Sequence, residues 1–94
     1  MIQKSRLKGY TLSFTPQASK ELNKLEISVA KKINKKLNEL IEGASNLDIT
    51  KMKGIEETYR LRCGNYRVIF EVQKYIVTVL VISIAHRKEA YRNY

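Results

Sequence analysis

The chain has 94 residues, 44% of them hydrophobic, and its 18 Lys and Arg against nine Asp and Glu give a formal net charge of +9. That length holds a single small domain over residues 1–94, with no room for separate catalytic and binding modules. The composition excludes a disordered chain, the lone Cys63 excludes an internal disulfide, and the apolar runs are too short to span a bilayer. So basic a body is expected to associate with nucleic acid, an acidic protein or an anionic surface. One Cys and a charged N-terminus without a leader pattern point to the cytoplasm.

A basic start with Lys4, Arg6 and Lys8 is expected to fray, and residues 10–14 then alternate as a short strand. Thr15-Pro16 signals a helix start, with Thr as N-cap and Pro at the first helical position. Ala18, Leu22 and Leu25 form one helical stripe, and Val29, Ile33, Leu37 and Leu40 a second, longer one. Glu26-Ile27-Ser28 predicts a corner between two antiparallel helices, and Gly43 a C-terminal stop. Lys31, Lys32, Lys35 and Lys36 lie largely off the stripe and are read as a solvated helix face rather than a ligand site.

Residues 44–57 read as a polar connection. Strand patterns follow at 58–62, 66–72 and 76–85, the last apolar on both faces, as suits an interior strand. Gln73-Lys74-Tyr75 is a short link, so these three strands should form an antiparallel meander. The polar segment 86–94 is expected to add one helical turn. The predicted architecture is α+β, with a small, mostly antiparallel four-stranded sheet and an N-terminal helical hairpin packed on one face.

One His and one Cys cannot supply a closed metal site, and no Gly-rich phosphate loop is present. Glu56-Glu57 would point apart on a strand and read as turn residues rather than an acid/base pair. Cys63 could be an activated nucleophile, but it reads as a small inward residue beside Tyr59 and Leu61. What remains is cationic. Tyr59, Leu61 and Cys63 facing the helices would leave Arg60 and Arg62 on the open face. Tyr66, Val68, Phe70 and Val72 as the next apolar set would leave Arg67, Ile69 and Glu71 there too. Arg87 follows the last strand, with Tyr91 one helical turn further on. Guanidinium groups with an aromatic ring at the rim suit a phosphodiester with a base stacked on tyrosine. A merely solvated basic sheet face is the competing reading.

Lys51-Met52-Lys53-Gly54, Tyr59-Arg60-Leu61-Arg62, the run from Asn65 through Arg67 to Val72, and His86-Arg87-Lys88-Glu89-Ala90-Tyr91 together resemble the RelE toxins of toxin–antitoxin pairs. The likeness covers the C-terminal half closely, while the helical hairpin matches by element order. It implies a metal-independent, cofactor-free endoribonuclease that cuts messenger RNA in the ribosomal A site and is held in check by a cognate antitoxin. Its partners would then be the ribosome, its message and the antitoxin, with no membrane. Carried over by residue, Arg60 and Arg62 fall where the family has basic residues contacting the RNA. Arg67 and Arg87 match its transition-state arginines and Tyr91 its nucleotide-stacking tyrosine, and Lys51 and Lys53 fall to RNA or ribosome binding.

Some relatives have lysines at the positions of Arg60 and Arg62, and arginine does not take a proton near neutral pH. His86, the only histidine in the sequence, is therefore a candidate for proton transfer. As a neighbour of Arg87 on a strand it could equally point away. A ParE-like poison of DNA gyrase and a degenerate basic RNA-binding module are the alternatives to the nuclease.

Overall fold

The computed structural model describes residues 7–88. Strand β1 (Thr11–Phe14) runs into helix α1 (Pro16–Asn23) through Thr15, whose Oγ1 accepts the Ala18 N–H at 3.1 Å. The cap satisfies a donor the helix leaves orphaned, as the Thr-Pro pair predicts. The same hydroxyl donates to the Ile82 carbonyl at 3.1 Å and so pins the helix start to the last strand. Helix α2 (Ile27–Ile41) buries Ile33, Leu37 and Leu40, the expected stripe. It stops at Gly43, where a φ of 83° lets the Gly43 and Ala44 N–H groups reach back to the Leu40 and Glu39 carbonyls.

The remaining strands are β2 (Ile49–Lys51), β3 (Thr58–Cys63), β4 (Tyr66–Gln73) and β5 (Thr78–His86). They form one sheet in the order β1-β5-β4-β3-β2, with β1 parallel to β5 and every other pair antiparallel. The sheet therefore has five strands, not four. The additional one, β2, lies inside the stretch read as a polar connection. It has only three residues, too few for an alternation to register in sequence, and it exists through its pairing with β3 at the sheet edge.

The helices cover one sheet face, and Leu61, Val68, Phe70, Val79 and Val81 from the sheet are fully buried with Ile33, Leu37 and Leu40. Leu7 joins this core, and the Gly9 N–H donates to the Ile41 carbonyl at 3.0 Å. The chain is thus anchored from Leu7 onward rather than frayed, while Lys4 and Arg6 lie outside the described residues. The last strand also begins later than its apolar pattern suggests. Residues Lys74–Ile76 form a 3₁₀ turn and Val77 adopts a left-handed φ of 49°, leaving Tyr75 and Ile76 exposed.

An irregularity in the β4–β5 ladder decides which face carries which C-terminal residue. Pairing steps from Ile69↔Ser83 to Phe70↔Val81, so Ile82 is an extra residue on β5. A bulge of this kind shifts side-chain alternation by one. Val79, Val81, Ile84 and His86 consequently share the helix-covered side, whereas Ala85 lies opposite Arg67. The backbone groups freed there are satisfied by helix α1: Thr15 takes the Ile82 carbonyl, and Glu21 Oε1 accepts the Ile84 N–H at 2.8 Å. No helix among the described residues is long and apolar enough to cross a membrane.

Candidate functional site

Antiparallel pairing of β3 with β4 sets Arg62 directly opposite Arg67 and Arg60 opposite Ile69. Tyr59, Leu61 and Cys63 point into the core, so alternation carries Arg60 and Arg62 to the side away from the helices, as expected. Like charges directly opposite on a ladder repel, and the cost is relieved when an anion sits between them. This face is less open than its sequence pattern suggests. Arg67 is only 8% exposed and Ile69 only 2%, because both lie on a strand flanked by neighbours on each side.

The buried guanidinium is held in place. Arg67 Nη1 donates to the Gly64 carbonyl at 3.2 Å and to the Tyr66 carbonyl at 3.1 Å, so the β3–β4 turn fixes its orientation. Arg60 is half-buried and Arg62 exposed. Together with Asp48 and Thr50 these three arginines line a cavity of about 260 Å³. Asp48 and Thr50 are the two site residues that reading the sequence missed. The Arg62 N–H donates to the Asp48 carbonyl at 2.9 Å, which extends β2 alongside β3 and brings Asp48 to the lining of the arginine cavity. The β-branched pair Ile49-Thr50 was the one signal that could have revealed it.

Lys51 and Lys53 lie beside this cavity rather than in it. They line an adjacent cleft of about 320 Å³ that shares Thr50 and Arg60 with the arginine pocket. Arg87 is exposed just past β5, and its backbone N–H donates to the Asn65 carbonyl at 2.7 Å. That bond ties it to the same turn that holds Arg67. His86 does not join the arginines: it lies opposite Tyr66 on the helix-covered side, ring edge to ring face, with centroids 5.4 Å apart at 80°. The bulge at Ile82 is the physical reason. Tyr91 and the expected C-terminal helical turn lie outside the described residues.

Cys63 is 7% exposed, and burial pushes its thiol above the ordinary 9.0, with Lys36 and Lys32 pulling the other way. A nucleophilic thiol needs the opposite shift, so the inward, structural reading of this residue holds.

The fold that carries these arginines is similar to that of known proteins. The family model for the ParE toxin of the parDE type II toxin-antitoxin system matches residues 12–91. The mRNA interferase toxin RelE of Escherichia coli (strain K12) is 34% identical over 84 residues, covering 87% of this chain and 87% of that protein. The RelB-RelE antitoxin-toxin complex from Methanococcus jannaschii matches with a TM-score of 0.72 and 30% identity, over 87% of this chain and 98% of the matched one. The isolated E. coli RelE toxin gives 0.71 and 31%, over 90% and 98%. The chain belongs to the RelE/ParE toxin family, as a RelE-type toxin.

Proposed function

We propose that this protein is the toxin of a type II toxin–antitoxin pair: a cytoplasmic, ribosome-dependent endoribonuclease that cleaves messenger RNA in the A site and is neutralised by a cognate antitoxin. The observation that carries the reading is Arg62 set opposite the buried Arg67, with Arg60 on the same face of one small cavity. Such an array suits a phosphodiester anion in a way a solvated basic surface does not, because one guanidinium is already desolvated and aimed.

In the reaction a ribose 2′-hydroxyl attacks the adjacent phosphorus and the bond to the 5′-oxygen breaks, leaving a 2′,3′-cyclic phosphate, and the departing 5′-oxygen takes a proton from water to become a free 5′-hydroxyl. Negative charge gathers on the phosphorane oxygens, where Arg67, held by two turn carbonyls, stabilises it without reorganising and Arg60 and Arg62 add their charge. Arg87 closes the site from the strand end and Tyr91 stacks the neighbouring base, while Lys51 and Lys53 hold flanking RNA. Arginine is a poor proton acceptor, and His86 stands on the other side of the sheet. Asp48 supplies a carboxylate to the cavity itself and is the group that takes the 2′-hydroxyl proton.

The test is to express the chain without its partner and map the 5′ ends of messages on purified ribosomes. New ends within the A-site codon, absent in Arg67→Ala, are expected. Intact messages alongside blocked gyrase supercoiling would overturn the nuclease in favour of the gyrase-poisoning activity of a ParE-like toxin.

A further inference from the structure

A second cationic site lies on the helix side of the same hairpin turn. Between α2 and the turn joining β3 to β4 is a cleft of about 510 Å³, larger than the arginine cavity. Lys32, Lys35 and Lys36 line it from the helix, and Asn46 and Asn65 belong to its wall. Its floor is apolar, made by Val29, Ile33 and Cys63. Tyr66 also lines it, with its ring braced edge-on by His86. Glu39 follows Lys35 by one helical turn and offsets only part of this charge.

We propose that this cleft is a second RNA subsite, which takes an unstacked nucleotide of the same strand whose scissile phosphate sits among the arginines. Each feature has a counterpart in such a ligand. Three ammonium groups face the phosphates, the amides reach a base edge, and the apolar floor with its fixed aromatic ring accepts a base face. The two sites also share their boundary. Gly64 and Tyr66, whose carbonyls hold Arg67, are themselves lining residues of the lysine cleft. A strand gripped by Arg62 and Arg67 therefore has to pass over only the short turn at Gly64-Asn65 to enter it. The lysines that read in sequence as a solvated helix face become, in the fold, the far wall of a groove. An acidic peptide fits the charge but gives the paired amides and braced ring no specific use.

The proposal rests on the arginine pocket holding a phosphodiester, and its test separates the two. Single-stranded RNAs of about three and about eight nucleotides, 2′-deoxy at the central position to block cleavage, are titrated by anisotropy over a range of salt. The proteins are the wild type and the triple variant Lys32→Gln, Lys35→Gln, Lys36→Gln, with thermal unfolding as the check on folding. For the longer RNA the variant should bind roughly tenfold more weakly, with a salt slope lower by about 2, near 0.7 per lost phosphate contact. For the shorter RNA the two proteins should coincide. Equal losses at both lengths, or none at either, would overturn the subsite. So would unchanged RNA binding accompanied by weaker antitoxin binding, which would hand the cleft to an acidic peptide, or by weaker binding to message-free ribosomes, which would hand it to ribosomal RNA. If the long RNA shows the lysine effect while Arg67→Ala leaves binding of the short RNA unchanged, the subsite stands and the arginine reading falls.

Discussion

The two sides of the β3–β4 hairpin carry positive charge in different ways. On the side away from the helices the cations are arginines mounted on strands, where ladder register fixes their spacing and one is buried against two carbonyls. On the helix side they are lysines on α2, two of them exposed, each on a long, rotatable stem. The contrast separates geometry from attraction. A transition state is stabilised by groups already in position, whereas affinity for a polyanion tolerates charges that settle after contact.

The sharpest way to test that division is Arg67→Ala. Removing the guanidinium held by the two turn carbonyls should slow single-turnover cleavage on ribosomes about 10²–10³-fold, the usual cost of losing an aimed donor. Arg67→Lys should recover little, because an ammonium cannot span both carbonyls and a phosphate in the guanidinium's plane. A comparable rate for Arg67→Ala and for the lysine variant would erase the distinction between the two sides.

Asp48→Asn tests whether the arginine side also moves a proton. The expected loss in single-turnover rate is about 10²-fold, with Asp48→Glu partly active. Replacing the leaving 5′-oxygen by sulfur should not restore the Asn variant, since that substitution relieves the need for an acid rather than a base. Full rescue by sulfur would reassign Asp48 to leaving-group protonation.

The smallest expected effect concerns Cys63, which faces the helix side in the floor of the lysine cleft. Burial raises its thiol above the ordinary value, so the fold favours the protonated form. Its contribution to stability is in place below the unfolded thiol's range and is lost as pH rises through the raised folded value. Tyr59, raised by burial and by Glu57 against the opposing pull of Lys74, acts in the same direction at higher pH. Urea midpoints should therefore fall more between pH 8 and pH 10 for the wild type than for Cys63→Ala. Identical pH profiles would show that the lysines beside it offset its burial.

Local signals carried most of the fold. Thr15-Pro16 and Gly43 mark helix ends through backbone chemistry that acts within a few residues, and the alternation at Tyr59, Leu61 and Cys63 correctly assigns the two faces of β3. Features made by distant partners were not legible. Strand β2 is defined by β3, and with it came Asp48 and Thr50. The bulge at Ile82 was invisible because β5 is apolar on both faces, so a one-residue shift leaves its pattern unchanged. The side taken by His86 depended on that shift. The lysine cleft likewise needs α2 and the hairpin turn brought together, which no local window contains.

The parallel pairing of β1 with β5 bears on the order of events during synthesis. Thr11 aligns with Thr78, and Thr15 bonds to Ile82 across a separation of 67 residues. Strand β1 must wait, unpaired, until β5 has been translated, and such long-range closure is slow. Strand β4, which carries Arg67, likewise lacks its β5 neighbour until that moment. The arginine site on β3 and β4 is therefore completed only once β5 has been made and paired.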